Sequence, residues 1–423
     1  MSAATAWRCA VCGTEVDIAT AHAFVCPRAT AHDRHHVLHP PGAGRSDPGR
    51  LDDANPVVAY GPRQAWWVFA AANGMSEAAR VELGRDVAAG FAFTPFTRHQ
   101  LPLGGPLDVG PGTGVWVKDE TGNVAGSHKS RHLVGILLHL RAAELLGLAP
   151  AGARRRALAI ASCGNAAIAA ATLAQRVEWP LTVFVPDWAS PEVLTRLERL
   201  GAAVNVSERR PSDPPGDPAV LRFREAVAAG ALPFSVQGPE NGMSLDTGRT
   251  LGWELADTVG ASGGPERIDR AVVQVGGGAL ATCVGWGLGP TSRLDTVQAQ
   301  GCAPLGRAWW RAQDAGIAAS DAPAHWAELM TPWERPHSLA DGILDDEAYD
   351  WIGAFHVMTA SGGRPLVVPE EAVVHASAVA RATGINVSAT GAAGLAGLLV
   401  SEGRPAPDEQ VAVVFSGVGS LNP

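Results

Sequence analysis

Val115-Trp116-Val117-Lys118-Asp119-Glu120-Thr121-Gly122-Asn123-Val124-Ala125-Gly126-Ser127-His128-Lys129-Ser130-Arg131 is the stretch on which the reading of the whole chain turns. Val115-Trp116-Val117 is an apolar run that reads as a strand, and a loop containing Gly122, Asn123 and Gly126 follows. Leu133, Ile136, Leu137 and Leu140 then recur at the i, i+3, i+4, i+7 spacing of a helix face. Ser127 suits the N-cap. Lys129 therefore falls in the first helical turn, at the positive end of the macrodipole, where a cation is not favoured. A lysine there either points into water or has chemistry to perform, and the rest of the chain decides which.

The chain has 423 residues, 46% apolar and 18% charged, enough for two or three domains with a sizeable core. A formal net charge of -9 and the lack of a basic block argue against a nucleic-acid partner. No charged-then-apolar leader and no long uninterrupted apolar window are evident, so neither a signal peptide nor a membrane span is expected. Six scattered cysteines do not make a disulfide framework and fit a reducing cytoplasm.

Beyond the lysine helix the pattern alternates. Strands are expected at 157–161, 181–185 and 203–206, with helices at 166–176 and from Pro191 after a Ser190 cap. Residues 211–218 read as a loop, 46–60 as a linker. Further strands are expected at 271–275, 296–300 and 411–415, and helices at 372–382 and 392–400. Such alternation means parallel sheets covered by helices, an α/β fold.

In open parallel sheets ligands bind at the carboxyl ends of strands, and three turns lie there. Gly276-Gly277-Gly278 lets successive backbone N–H groups face one anion, with Ala279 opening the helix behind them; a phosphate monoester suits it, and a tight turn without ligand is the alternative. Ser162, Gly164 and Asn165 offer a hydroxyl, a bare backbone and an amide for a carboxylate, although Ser-x-Gly-Asn is also a good turn. Ser416 stands at the mouth of the last strand, where its hydroxyl could reach a ring nitrogen. Dinucleotide, P-loop, nucleophile-elbow and zincin motifs are not present.

Residues 1–45 form a Cys/His-rich arm. Cys9-x-x-Cys12 and Cys26 supply three thiolates for a zinc tetrahedron, and the fourth ligand is expected from His32 or His35. A degenerate knuckle with free thiols is the alternative.

Taken in order, Gly126-Ser127-His128-Lys129, Ser162-Cys163-Gly164-Asn165-Ala166, Gly276-Gly277-Gly278-Ala279-Leu280 and Ser416-Gly417-Val418-Gly419 resemble the pyridoxal-phosphate enzymes of the tryptophan-synthase-β fold, or fold type II. That group includes threonine synthase, serine/threonine dehydratase and the cysteine synthases. Secondary matches are Asp246 to Glu254, Val297 to Pro304, Leu339 to Ile343 and Thr390 to Leu395, and the resemblance covers about residues 60–423. It implies two open, mostly parallel sheets covered by helices. It also implies a large cofactor domain of residues 60–131 and 241–423 and a small α/β domain of 132–240.

The resemblance implies that Lys129 forms the Schiff base with pyridoxal 5'-phosphate and later removes the substrate α-proton. Asn165, Gly276, Gly277, Gly278, Ala279 and Ser416 would hold the cofactor, and Ser162, Gly164 and Asn165 the amino-acid substrate. The expected reaction is elimination from a β- or γ-substituted L-amino acid; β-replacement by an external nucleophile is the alternative. A homodimer is what the family suggests. Threonine synthase is the nearest likeness, but it usually carries Phe-Lys-Asp where this chain has His128-Lys129-Ser130.

Overall fold

A computed structural model describes residues 6–30, 33–41, 48–99, 101, 114–152, 155–214 and 216–419. The strands in chain order are β1 (Ala6–Cys9), β2 (Glu15–Asp17), β3 (Leu38–His39), β4 (Phe96–His99), β5 (Gly114–Asp119), β6 (Leu158–Ala161), β7 (Leu181–Pro186), β8 (Ala203–Ser207), β9 (Leu232–Pro233), β10 (Arg270–Gln274), β11 (Arg293–Ala299), β12 (Pro365–Val368) and β13 (Gln410–Phe415). They form two compact units. Among the described residues, those within 6–92 and 129–247 make one, and those within 93–128 and 248–419 the other.

The second unit is built on a six-stranded sheet, order β12-β11-β10-β13-β5-β4, parallel except for the β4–β5 edge pair. All of β10, and β13 from Val411 onward, are buried. An apolar run covered on both faces is what a central parallel strand requires. Val272, Val297, Leu366, Val411 and Val413 pack with Ala376, Val379 and Leu395 into its core. Charged pairs are buried inside this unit, Arg270 with Asp295 and Lys118 with Glu254 among them. Lys118 Nζ is 2.6 Å from Glu254 Oε2, with both side chains 2% exposed. Residues 392–400 do not form the α-helix expected from sequence. Ala389–Ala392 is one α turn, and Ala393–Leu399 is a 3-10 helix. Gly394 and Gly397 let that tighter segment lie against β10, where added Cβ atoms would meet Gln274 and Val272.

The first unit carries a four-stranded parallel sheet, order β8-β7-β6-β9, and a small antiparallel sheet, order β2-β1-β3, made by the arm. A helix at Pro218–Ala228, capped by Asp217, follows the 211–218 loop; Phe223 and Ala219 bury against Ala159 and Phe184 of the sheet. The end of the expected linker is also core. Asn55 accepts from Val57 N at 2.9 Å and starts a buried turn, Pro56–Ala59, while 42–47 lie outside the described residues.

The Lys129–Leu145 helix is buried at every position from Ser130 to Leu140, not only along its apolar stripe. Each of its inward histidines sets one ring nitrogen against backbone: His132 Nδ1 lies 2.9 Å from Ser244 O, and His139 Nε2 lies 2.8 Å from Ala21 O. A helix covered all round belongs in an interior. Gly135 makes that possible, because any Cβ there would collide with the Thr247 hydroxyl. Among the described residues no helix is long and apolar enough to cross a membrane.

Candidate active site

The loop after β5 is shaped by backbone. Asn123 Oδ1 accepts from Val124 N at 2.7 Å, and Ala125 (φ 60) and Gly126 (φ 73) then take left-handed conformations in succession. For Ala125 this is strained; for Gly126 it comes with a close approach, since a Cβ would lie 2.8 Å from Val418 Cγ2. The turn lays Ser127 antiparallel to Gly417. Val418 N donates to Gly126 O at 2.9 Å, and His128 N donates to Ser416 O at 2.9 Å. His128 Nδ1 is also 3.0 Å from Ser416 O. Ser127 is thus extended (φ -161, ψ 161) and paired like a strand, not the N-cap expected from sequence. The helix begins at Lys129, its first residue.

The glycine triplet occupies the turn from β10 into the Ala279–Leu288 helix, with Gly278 (φ +98) as the left-handed cap. No side chain fits on this loop. A Cβ on Gly276 would meet the Asp345 carboxylate, one on Gly277 the Tyr349 ring at 3.1 Å, and one on Gly278 the Asp350 backbone at 3.2 Å. Asp350 N donates to Gly277 O at 2.6 Å and fixes the loop. Such a bare turn at the positive end of a ten-residue helix is suited to an anion.

Ser416 is 5% exposed, and its Oγ is 2.8 Å from Gln274 Nε2. The same Nε2 lies 2.8 Å from Gly391 O. With the amide donating to Ser416 Oγ, the serine proton is left to point at a further acceptor. Gln274 escaped the sequence reading: a glutamine ending an apolar strand gives no periodic signal, and only its place two residues before Gly276 marked it. Two secondary motifs also meet, because Thr390 Oγ1 is 3.0 Å from Asp341 Oδ1 and accepts from Gly342 N at 2.9 Å. Within this unit the segments 126–128, 274–279, 341–342, 390–391 and 416–418 are therefore joined by hydrogen bonds or chain continuity.

Ser162, Gly164 and Asn165 lie together in the first unit, on one half-buried turn at the carboxyl end of β6. Ser162 N donates to Phe184 O at 3.1 Å, and Gly164 N donates to Ser162 Oγ at 3.3 Å. Asn165 opens the Asn165–Arg176 helix, and the space where a Gly164 Cβ would sit is open. The turn thus stands at a helix N-terminus, the positive end of its dipole.

In the arm, Cys9, Cys12 and Cys26 are gathered, and the histidine with them is His36. His35 is not a member, and His32 lies outside the described residues. Asp33 Oδ2 holds His36 Nε2 at 3.0 Å, which turns Nδ1 toward Cys9 Sγ at 3.5 Å. His35 is buried as His36 is, and burial lowers its pKa to about 4.

Comparison with known proteins bears on this geometry. A family described as "Pyridoxal-phosphate dependent enzyme" matches residues 102–417. A threonine synthase of Methanosarcina acetivorans is 28% identical over 316 residues, which is 72% of this chain and 69% of that protein. Among solved structures, maize serine racemase superposes with a TM-score of 0.62 at 18% identity, covering 81% of this chain and 93% of its own. A threonine deaminase from T.th. gives 0.59 at 21% identity, covering 80% and 96%. At these identities the solved structures establish a shared fold: helix-covered, mostly parallel sheets.

Proposed function

This chain belongs to the pyridoxal-phosphate-dependent enzyme family, and from that premise we propose that it is a lyase acting on a β- or γ-substituted L-amino acid at a carbon–oxygen bond. The observation that carries the reading is the backbone pairing of 126–128 with 416–418. It ties the residue before Lys129 to the serine proposed for the cofactor ring. The residues present fit the cofactor: a glycine turn at a helix N-terminus on which no side chain fits, and a buried serine whose Oγ already accepts from Gln274.

Pyridoxal phosphate supplies an aldehyde that joins amines and a ring that takes up electron density from the substrate. Lys129 would hold the aldehyde carbon and, once displaced by substrate, take the α-proton onto Nζ. Gly276, Gly277, Gly278 and Ala279 would bind the phosphate through backbone N–H groups. Ser162, Gly164 and Asn165 would orient the substrate carboxylate, Asn165 also meeting the cofactor oxygen. Ser416, a neutral donor, would bind the ring nitrogen without giving it a full charge. Limited charge delocalisation favours prompt loss of a leaving group over transamination.

The test is product analysis with purified chain and cofactor. Ammonia and keto-acid release from serine or threonine, or threonine formation from O-phosphohomoserine, supports the reading. Turnover only when an external nucleophile accompanies serine would make the chain a β-replacement synthase, and D-serine as the only product would make it a racemase. Lys129→Ala should abolish every one of these activities.

A further inference from the structure

We propose that the N-terminal arm is a zinc site whose four ligands are Cys9, Cys12, Cys26 and His36, with Asp33 orienting the histidine. The proposal stands apart from the reaction assigned above. All four ligand atoms lie within 4.8 Å of one another. Their individual spacings discriminate further. A tetrahedral ion with zinc–sulfur bonds of about 2.3 Å and zinc–nitrogen bonds of about 2.0 Å separates two sulfurs by about 3.8 Å, and a sulfur from a nitrogen by about 3.5 Å. Cys12 and Cys26 Sγ are 3.7 Å apart, and Cys9 Sγ and His36 Nδ1 are 3.5 Å apart. A disulfide would need about 2.05 Å between sulfurs, so Cys12 and Cys26 are not bonded to each other, and their spacing matches two ligands on one ion.

The surrounding backbone is built for thiolates. Gly13 (φ +67) closes the Cys9-x-x-Cys12 knuckle, with Gly13 N donating to Cys9 O at 3.1 Å and Cys9 N donating to Thr14 O at 2.9 Å. Arg28 N points at Cys26 Sγ from 3.4 Å. The Asp33–His36 contact is the carboxylate–histidine arrangement that fixes a metal-bound imidazole and raises its basicity. Three sulfurs and one nitrogen with no open position describe a closed, structural site, and thiolate-rich tetrahedra favour zinc.

The loop that the ion would close, residues 13–25, is also the one that docks on the rest of the first unit. Ala19 O accepts from Asn73 Nδ2 at 3.2 Å, Ala21 O from His139 Nε2 at 2.8 Å, and Phe24 O from Gly242 N at 2.8 Å. His139 belongs to the helix that Lys129 begins. The ion would therefore hold the loop whose Ala21 carbonyl meets this helix.

The experiment is metal analysis of the full-length chain, purified without chelator and after dialysis against zinc. About one zinc per chain is expected, with Cys26→Ser and His36→Ala losing it, and His35→Ala retaining it. Asp33→Asn should keep the metal but release it to a chelator roughly 10- to 100-fold more readily. Cobalt loaded into the wild-type chain should give the intense sulfur-to-metal absorption of a thiolate tetrahedron; this arm needs no variant to fold. A wild-type chain that takes up neither metal overturns the proposal. So does loss of metal in His35→Ala with retention in His36→Ala.

Discussion

Lys118→Met isolates the buried charge pair beneath the lysine loop. Lys118 Nζ sits 2.6 Å from Glu254 Oε2 and 2.7 Å from Thr94 O. The Thr94 hydroxyl is 2.6 Å from Glu120 Oε1, and Asn123 Nδ2 is 2.7 Å from Glu120 Oε2. Asn123 in turn starts the turn that presents Lys129. Removing the ammonium takes away the cation 2.6 Å from the buried Glu254 carboxylate and keeps the Thr94 donors at 3.2 and 3.4 Å. A buried carboxylate deprived of its cation costs about 3–5 kcal/mol, far above the roughly 0–1 kcal/mol typical of an exposed pair. Removing both charges is much cheaper, because the desolvation cost disappears with them. Urea unfolding followed by tryptophan fluorescence should show Lys118→Met strongly destabilised and Lys118→Met/Glu254→Leu recovering most of the loss. If the single variant lies within about 1 kcal/mol of wild type, or the double is worse than the single, the burial argument is wrong.

Gln274→Leu should destabilise the chain by about 1–3 kcal/mol, chiefly by taking from the buried Ser416 Oγ its amide donor, since Gly391 O keeps the Ser416 N–H at 3.0 Å. Its cofactor affinity, measured by dialysis, should fall while Gln274→Glu, which keeps an oxygen but loses the donor at neutral pH, should not restore it. His139 gives a pH effect. Burial is the main cause that lowers its pKa to about 4, against the backbone bond to Ala21 and with His22 nearby adding to the lowering. The folded chain keeps it neutral where the unfolded chain binds a proton below about pH 6.5. Its stabilisation is complete above that value and is lost as pH falls toward 4, an effect on the order of 3 kcal/mol. His139→Gln should flatten this part of a stability-versus-pH curve; an unchanged curve would remove His139 as its cause.

The sheet strands were legible because parallel strands buried on both faces are plain apolar runs, as Val411-Ala412-Val413-Val414-Phe415 shows. Local rules failed where tertiary contact overrode them. Ser127 has the composition of a cap, yet its pairing with Gly417 across 290 positions of chain draws it into an extended conformation. Residues 392–400 have helical periodicity, but contact with β10 tightens them into a 3-10 segment. The Pro218–Ala228 helix carried its signal in Asp217-Pro218, a cap followed by a first-turn proline. The three arm cysteines were visible from spacing; choosing among adjacent histidines was not, because the choice depends on Asp33 holding one ring. Gln274 and the Lys118–Glu254 pair show the same limit, since a partner 136 residues away leaves no mark on local pattern.

The most direct test of the proposed chemistry is peptide mapping after the cofactor-loaded chain is reduced with borohydride. One pyridoxyl group is expected, carried by Lys129 and lost from Lys129→Ala without appearing elsewhere. A label on another lysine, or cofactor retained covalently by Lys129→Ala, would contradict it.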